Sequence, residues 1–155
     1  MTINELQNTI VKEFEMLDSW KHKFQYLIEH AHYMQDNKLI TPHSEQQKIE
    51  EKIDKVRLTA YQANGRIFFS AMADNTITQG IVGVLIRILS NRRPEEIISA
   101  DIYILDRLKL KNSISSIKLN KMFSLLRIMK FSALDLKKNA EYVTTRSKKI
   151  TFNKT

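Results

Sequence analysis

Apolar residues occupy nearly every side of the stretch 74–89, DNTITQGIVGVLIRIL, when it is drawn as a helix. They are Ile77, Ile81, Val82, Val84, Leu85, Ile86, Ile88 and Leu89. A helix that is apolar all round is usually buried in the centre of a domain. The pattern therefore predicts a central helix, with Ile81, Leu85 and Ile88 in the core. A membrane span would need ~20 apolar residues, and polar residues interrupt this run.

The predicted central helix contains two glycines and has two candidate caps. Asp74 or Thr76 is placed to accept a hydrogen bond from a free backbone N–H at its start. Gly80 and Gly83 lie inside the helix, where each costs ~1 kcal/mol relative to alanine. No glycine-rich loop follows a strand here, as a phosphate site requires. We therefore interpret the glycines as points where a neighbouring element approaches closely.

Two amphipathic helices are predicted at the start of the chain. Thr2 and Glu5 form a capping box for the first helix. Its apolar face follows helical spacing and consists of Ile3, Leu6, Ile10, Phe14 and Leu17. Asp18 is expected to cap the second helix. The inward residues expected there are Trp20, Phe24, Leu27, Ile28 and Ala31.

The middle of the chain changes its apolar period. Residues 36–42 are expected to form a loop, and the polar stretch 44–54 has Ile49 and Ile53 four apart, which favours a short exposed helix. The segments 56–61 and 66–72 alternate instead, and Asn64-Gly65 between them is a strong hairpin signal. We expect two antiparallel strands here, and a third strand nearby is left open.

Helices return in the C-terminal half. Pro94, followed by two acids, marks the first turn of a helix, and residues 101–110 form a short helix or an irregular apolar segment. A long helix is predicted from about Ser116 to Lys137. Its inner face consists of Leu119, Met122, Phe123, Leu126, Met129 and Ala133; Lys121, Ser124, Arg127 and Lys130 are expected to face water.

These elements predict one α+β domain over residues 1–136, with a small antiparallel sheet packed against helices. The net charge is +8 over 155 residues, and residues 137–155 carry six basic groups and one acid. We interpret this segment as a basic, flexible tail. Attraction of nucleic acid or an acidic partner is the alternative to this interpretation, and nucleic acid is not the expected partner. The polar N-terminus resembles no signal peptide, so a cytoplasmic protein without membrane association is expected.

The chain is poor in catalytic side chains. It contains no cysteine, which excludes disulfides, thiolate metal sites and cysteine nucleophiles. No catalytic motif is present, and the adjacent pairs Glu50-Glu51 and Glu95-Glu96 are interpreted as solvated. His22, His30 and His32 do not share one helix face, so we expect surface or edge histidines. No catalytic residue, metal site or cofactor is predicted.

Several strings resemble the SufE family, the sulfur acceptors that work with cysteine desulfurases in iron–sulfur cluster assembly. The stretch 77–101, ITQGIVGVLIRILSNRRPEEIISAD, is close to the family pattern IT-x-G-I-x-A-L-L-I-R-x-L-S followed by T-P-E-E-I-L-x-A-D. A second family pattern, nearer the N-terminus, is similar to Glu13-Phe14, Trp20 and the string 26–28. The resemblance covers about residues 2–136 and implies the fold that this family shares with iron–sulfur scaffold proteins.

The chain departs from the family where the family carries its sulfur. Aligning the string 56–58 with the family's Val-Trp-Leu strand places Lys52 at the persulfide-bearing cysteine and Asp54 at the serine of Gly-Cys-Gln-Ser. A further family motif, Ser-Pro-x-Arg-Ser-x-Gly, corresponds to residues 115–121, with Lys118 at its arginine. Asp74 matches an acid near the partner-facing loop. The resemblance therefore implies a partner-binding surface made of Lys52, Asp54, Asp74, Lys118 and Asn120.

The resemblance implies an accessory protein that binds a cysteine desulfurase of the SufS type without carrying sulfur, with an iron–sulfur scaffold complex as a second candidate partner. A basic binding module on the same fold is the alternative. A decayed or redesigned sequence that keeps only the fold would also lack the cysteine.

Overall fold

The described residues fold into six α-helices around a three-stranded antiparallel sheet, which confirms the predicted α+β class. The computed structural model describes the backbone of residues 1–35 and 48–153, with side chains as far as Glu141. The helices are α1 Ile3–Glu15, α2 Trp20–Glu29, α3 Thr76–Leu89, α4 Pro94–Ser99, α5 Ile104–Arg107 and α6 Ser116–Asn153. The strands are β1 Lys48–Ile53, β2 Val56–Ala63 and β3 Arg66–Met72. Short 3₁₀ segments cover His30–Gln35 and Leu110–Asn112.

The predicted hairpin is present as β2 and β3. Ala63 pairs with Arg66 across the two-residue turn Asn64-Gly65. Both turn residues have positive φ, 54° and 74°, which asparagine and glycine adopt at low cost. The turn chemistry thus sets the register of the whole hairpin.

The helix predicted for residues 44–54 is wrong over its described part. Residues 48–53 form β1, which pairs antiparallel with β2 from Lys48↔Tyr61 to Ile53↔Val56; residues 44–47, like the predicted loop 36–42, lie outside the described residues. Two isoleucines four apart fit a strand as well as a helix, because residues 49, 51 and 53 share one face of a strand. Pairing with β2 decides between them, and β1 is the third strand that the sequence left open.

The predicted central helix is confirmed as α3, and Ile81, Leu85 and Ile88 are fully buried in it. Both interior glycines are points of close approach, as expected. A β-carbon added at Gly80 would overlap the backbone carbonyl of Leu27, and one at Gly83 would overlap that of His30. The backbone at the end of α2 therefore packs directly on α3.

Two local expectations differ from the structure around α2. Its N-cap is Ser19 rather than Asp18, since the Ser19 hydroxyl accepts from the backbone N–H of His22 at 3.3 Å. Of the inward set, only Leu27 is buried; Trp20 and Ile28 are exposed at 40% and 37%. A ten-residue helix that touches the core along one edge buries fewer apolar positions than its periodicity offers.

His30 is also not a surface histidine, because only 5% of it is exposed. Its Nδ1 lies 2.9 Å from the carbonyl of Tyr26, and its Nε2 lies 2.9 Å from Nη1 of Arg87. Arginine only donates, so Nε2 accepts this bond and the ring proton is on Nδ1. His22 and His32 are exposed.

The last helix begins at the predicted Ser116 but continues past Lys137 to Asn153. No glycine or proline interrupts residues 116–153, so nothing in the sequence stops the helix at the edge of the core. Met122, Leu126, Met129 and Ala133 of the predicted inner face are buried, and Leu119 and Phe123 are partly buried. Leu125 and Leu136 complete this face.

Candidate partner-binding site

A cavity of about 260 Å³ opens where the β1–β2 turn, the start of α3 and the start of α6 meet. Its apolar floor includes Val56, Met122 and Leu125, each at most 5% exposed. Charged and polar side chains surround this floor: Asp54, Lys55, Asp74, Asn75, Thr78, Ser115, Lys118 and Lys121. Three of the residues assigned to partner binding by the resemblance, Asp54, Asp74 and Lys118, are thus brought together by the fold.

The β1–β2 turn supplies Asp54. Because Ile53 pairs directly with Val56, only Asp54 and Lys55 connect the strands, and Asp54 adopts a positive φ of 52°. Its Oδ2 accepts a hydrogen bond from Nζ of Lys121 at 2.7 Å. This bond is the main cause that holds the pKa of the Asp54 carboxyl below its usual value. Asp54 is therefore charged at neutral pH and fixed to α6.

The first turn of α3 forms the second side of the cavity. Asn75 is the N-cap, where the sequence suggested Asp74 or Thr76. Its Oδ1 accepts from the backbone N–H groups of Ile77 and Thr78 at 3.0 and 3.2 Å. Asp74, released from capping, lines the cavity instead. Because Asn75 caps the helix, the Asp74 carboxylate remains at the rim of the cavity.

The first turn of α6 forms the third side. The Ser115 hydroxyl accepts from the backbone N–H of Lys118 at 3.1 Å, which fixes where the helix begins. Lys118 lines the cavity, and Ile117 beside it is 68% exposed. Asn120 is exposed and does not line the cavity. The turn of the helix between residues 118 and 120 therefore directs Asn120 away from Lys118 and the cavity.

Lys52 also does not line this cavity. It is an exposed residue of β1 and lies opposite Arg57 of β2. Successive side chains of a strand point to opposite faces. Lys52 therefore shares the solvent face of the sheet with Arg57 and Met72, the latter 64% exposed. The alignment position of the family cysteine is thus in a paired strand rather than in the turn.

Sequence reasoning missed Lys121, which was assigned to water because it falls outside the apolar face of α6. Lys121 lies one turn after Lys118, so the two ammonium groups share a side of the helix. That spacing was visible in the sequence. The pairing of Lys121 with Asp54 was not visible, because the contact joins residues 67 apart in the chain.

The described residues meet neither the requirements of a metal cluster nor those of a membrane-crossing helix. They contain no group of three or more histidine, aspartate or glutamate side chains that would hold a metal ion. None of their helices combines the length and apolarity needed to cross a bilayer. The chemistry available at the cavity is hydrogen bonding, charge pairing and apolar contact.

Residues 8–133 match the family described as "SufE: Fe-S metabolism associated domain". The chain belongs to the SufE family. The match runs from α1 into α6 and contains every residue that lines the cavity. This confirms the predicted family and associates the chain with iron–sulfur metabolism.

One solved structure supports the fold independently. The solution structure of a hypothetical protein from Thermus thermophilus has a TM-score of 0.65 with this chain at 14% identity. The likeness covers 86% of this chain and 96% of the other. At this identity it shows a shared fold and nothing about activity. No curated protein has a matching sequence.

Proposed function

We propose that this SufE-family protein binds a cysteine desulfurase through the rim of the cavity between the β1–β2 turn, α3 and α6, and does not itself carry sulfur. The observation that supports this most directly is the convergence of Asp54, Asp74 and Lys118 on one cavity. The protein acts in the cytoplasm as an accessory to iron–sulfur cluster assembly, alone with the desulfurase or together with a scaffold complex.

The non-carrier half of the proposal rests on chemistry. Passing sulfane sulfur between proteins requires a thiolate that attacks a persulfide, and this sequence has no cysteine. The lysine at the aligned position offers an ammonium group, which has no lone pair for that attack while it is protonated. Binding is the role that the remaining side chains support.

The binding half rests on the form of the site. An apolar floor surrounded by fixed charges suits a partner surface that inserts an apolar side chain and pairs charges at the rim. Asp74 provides a negative charge and Lys55 and Lys118 provide positive charges, whereas Asp54 and Lys121 are paired with each other. Register on the partner is therefore expected to depend on Asp74 and Lys118.

Calorimetry with the cognate desulfurase tests the binding half. Asp74→Lys and Lys118→Glu are each expected to weaken binding about tenfold or more. Lys138→Glu, on the exposed part of α6 outside the site, is the matched control and should bind as the wild type does. Equal affinities for all four proteins, or no binding by the wild type, would reject the site.

Transfer of labelled sulfur tests the other half. The desulfurase is incubated with labelled cysteine and this protein, and the protein is then separated under denaturing, non-reducing conditions. We expect no label bound to the chain. Covalently bound label would reject the non-carrier assignment while leaving the binding result unaffected.

A further inference from the structure

Apolar surface continues beyond the cavity along α2. Trp20, Phe24 and Ile28 occur every four residues, so they form one stripe on the helix; the rings of Trp20 and Phe24 are 5.6 Å apart. Trp20 and Ile28 are exposed, and Phe24 is partly buried. An apolar stripe on a helix normally faces the core, and here two of its three members face solvent.

This stripe leads into a groove of about 410 Å³. The groove is lined by Phe24, Ile28, Asn75, Thr76, Ile77, Ser113 and Ile114. Asn75 lines the cavity on its other side, so the groove and the cavity are neighbours separated by the N-cap of α3. We call the exposed or partly buried apolar set along this path, Trp20, Phe24, Ile28, Ile77, Ile114 and Ile117, the apolar track.

Lysines outnumber acids in the sequence beside the apolar track, where the acids are Asp18, Glu29 and Asp74. Lys21 is exposed on α2 one turn before Phe24, and Lys23 lies over the Trp20 ring at 5.1 Å from its centroid. The segment 109–114, of which Ser113 and Ile114 line the groove, contains two lysines and no acid. Neither α3 nor α6 has an acidic residue in its first turn, in contrast to α1, α4 and α5. The positive ends of these two helix dipoles add to the same field.

We propose that the apolar track binds an amphipathic segment of the desulfurase that has apolar anchors flanked by acidic residues. This inference rests on the proposed function and extends the binding site from the cavity to α2. Two neighbouring concave regions suit one continuous segment better than two separate contacts, because its second anchor binds without a further loss of translational freedom. The basic border selects acidic flanks.

Calorimetry with the desulfurase separates this inference from the proposed function. Ile28→Asp is expected to weaken binding about tenfold, and Lys21→Glu about threefold, with the larger losses at low salt. The matched controls are Phe131→Asp, a 63% exposed apolar residue of α6 that lines neither concave region, and Lys138→Glu. Circular dichroism melts verify that each variant is folded.

If Ile28→Asp binds as the wild type does while Lys118→Glu loses affinity, the contact is confined to the cavity. The proposed function then stands and the track is rejected. If the wild type binds no desulfurase, the proposed function fails. Binding of a synthetic peptide then shows whether the apolar track is a docking surface.

The peptide arm uses a synthetic amphipathic helix with leucines at helical spacing and glutamates elsewhere, and a twin with lysines in place of the glutamates. Amide shifts are recorded by NMR on the ¹⁵N-labelled protein. Shifts at Phe24, Ile28 and Ile114 with the acidic peptide alone support the track. No shift there, or equal shifts with both peptides, overturns it.

Discussion

Nζ of Lys121 lies 2.7 Å from Oδ2 of Asp54 and connects the longest helix of the protein to the turn between its first two strands. Both residues line the same cavity. Both side chains are partly exposed, at 41% and 49%, so the pair adds little to global stability. Its effect is local, because it fixes a two-residue turn whose first residue has a positive φ.

The ion pair predicts a measurable change in the titration of Asp54. In the wild type the pKa of this carboxyl lies below its ordinary value, chiefly because Lys121 donates a hydrogen bond to it. Lys121→Gln should raise this pKa toward the ordinary value, as followed by the NMR shift of the carboxyl carbon. Lys138→Gln is the control and should leave the titration in place. An unchanged Asp54 titration in Lys121→Gln would show that the pair does not form in solution.

The elements that the sequence predicted correctly are those with a strong local signal. Asn64-Gly65 specifies a turn by its own backbone preference, and α3 is apolar over a long run. β1 was missed because its polar sequence has no strand signal of its own. Its conformation depends on hydrogen bonding to β2, which is a property of the folded chain.

Only part of the candidate site could be predicted, because the folded chain decides which side chains line the cavity. Asp54, Asp74 and Lys118 were found by resemblance, and the fold confirms only that they are neighbours. Lys52 and Asn120 are close in sequence to true lining residues, but strand alternation and helix rotation turn them away. A displacement of one or two residues along an element changes the surface to which a side chain belongs.

Acidification is expected to destabilise the protein through His30. Burial is the main cause that lowers the pKa of His30, and the charge of Arg87 acts in the same direction. The folded state therefore binds this proton less readily than the unfolded state. The resulting stability is present above the unfolded pKa of about 6.5 and is lost as the pH falls through the lower folded pKa. The free energy of unfolding in urea should thus fall between neutral and mildly acidic pH.

His30→Gln isolates this contribution. Glutamine retains a hydrogen-bond acceptor for Arg87 but does not titrate, so the decrease in stability on acidification should be smaller than in the wild type. His22→Gln, at an exposed histidine, should reproduce the wild-type decrease. The interpretation fails if His30→Gln and the wild type lose stability in parallel.

Shortening a buried side chain of the central helix should lower the free energy of unfolding. Leu85 is fully buried in α3, so Leu85→Ala removes apolar burial and leaves a cavity, and the expected loss is about 2–5 kcal/mol. Ile117→Ala is the control, because Ile117 is 68% exposed, and its effect should stay within about 0.5 kcal/mol. Both are measured by urea denaturation. A loss below about 0.5 kcal/mol for Leu85→Ala would show that α3 is peripheral.

Gly83→Ala should also destabilise, although alanine is the better helix former by ~1 kcal/mol. A β-carbon at this position overlaps the His30 carbonyl, so the 3₁₀ segment that follows α2 must move away from α3, at an expected net cost of about 1–3 kcal/mol. Gly65→Asn is the matched control. Nothing lies within 4 Å of a β-carbon there, and asparagine tolerates a positive φ. A stabilised Gly83→Ala would mean that the 3₁₀ segment and α3 are not in close contact.

The position of the turn predicts where an introduced thiol would accept sulfur. Lys55 is in the two-residue turn and lines the cavity, whereas Lys52 is in a paired strand on the other face of the sheet. A thiol at the turn would meet a partner docked on the cavity rim, and the nearby Lys118 and Lys121 would favour its thiolate form. With the desulfurase and labelled cysteine, Lys55→Cys should therefore acquire label faster than Lys52→Cys. Phe131→Cys, exposed on α6, measures non-specific transfer, and Lys52→Cys should not exceed it. Faster labelling of Lys52→Cys would show instead that the partner docks on the solvent face of the sheet.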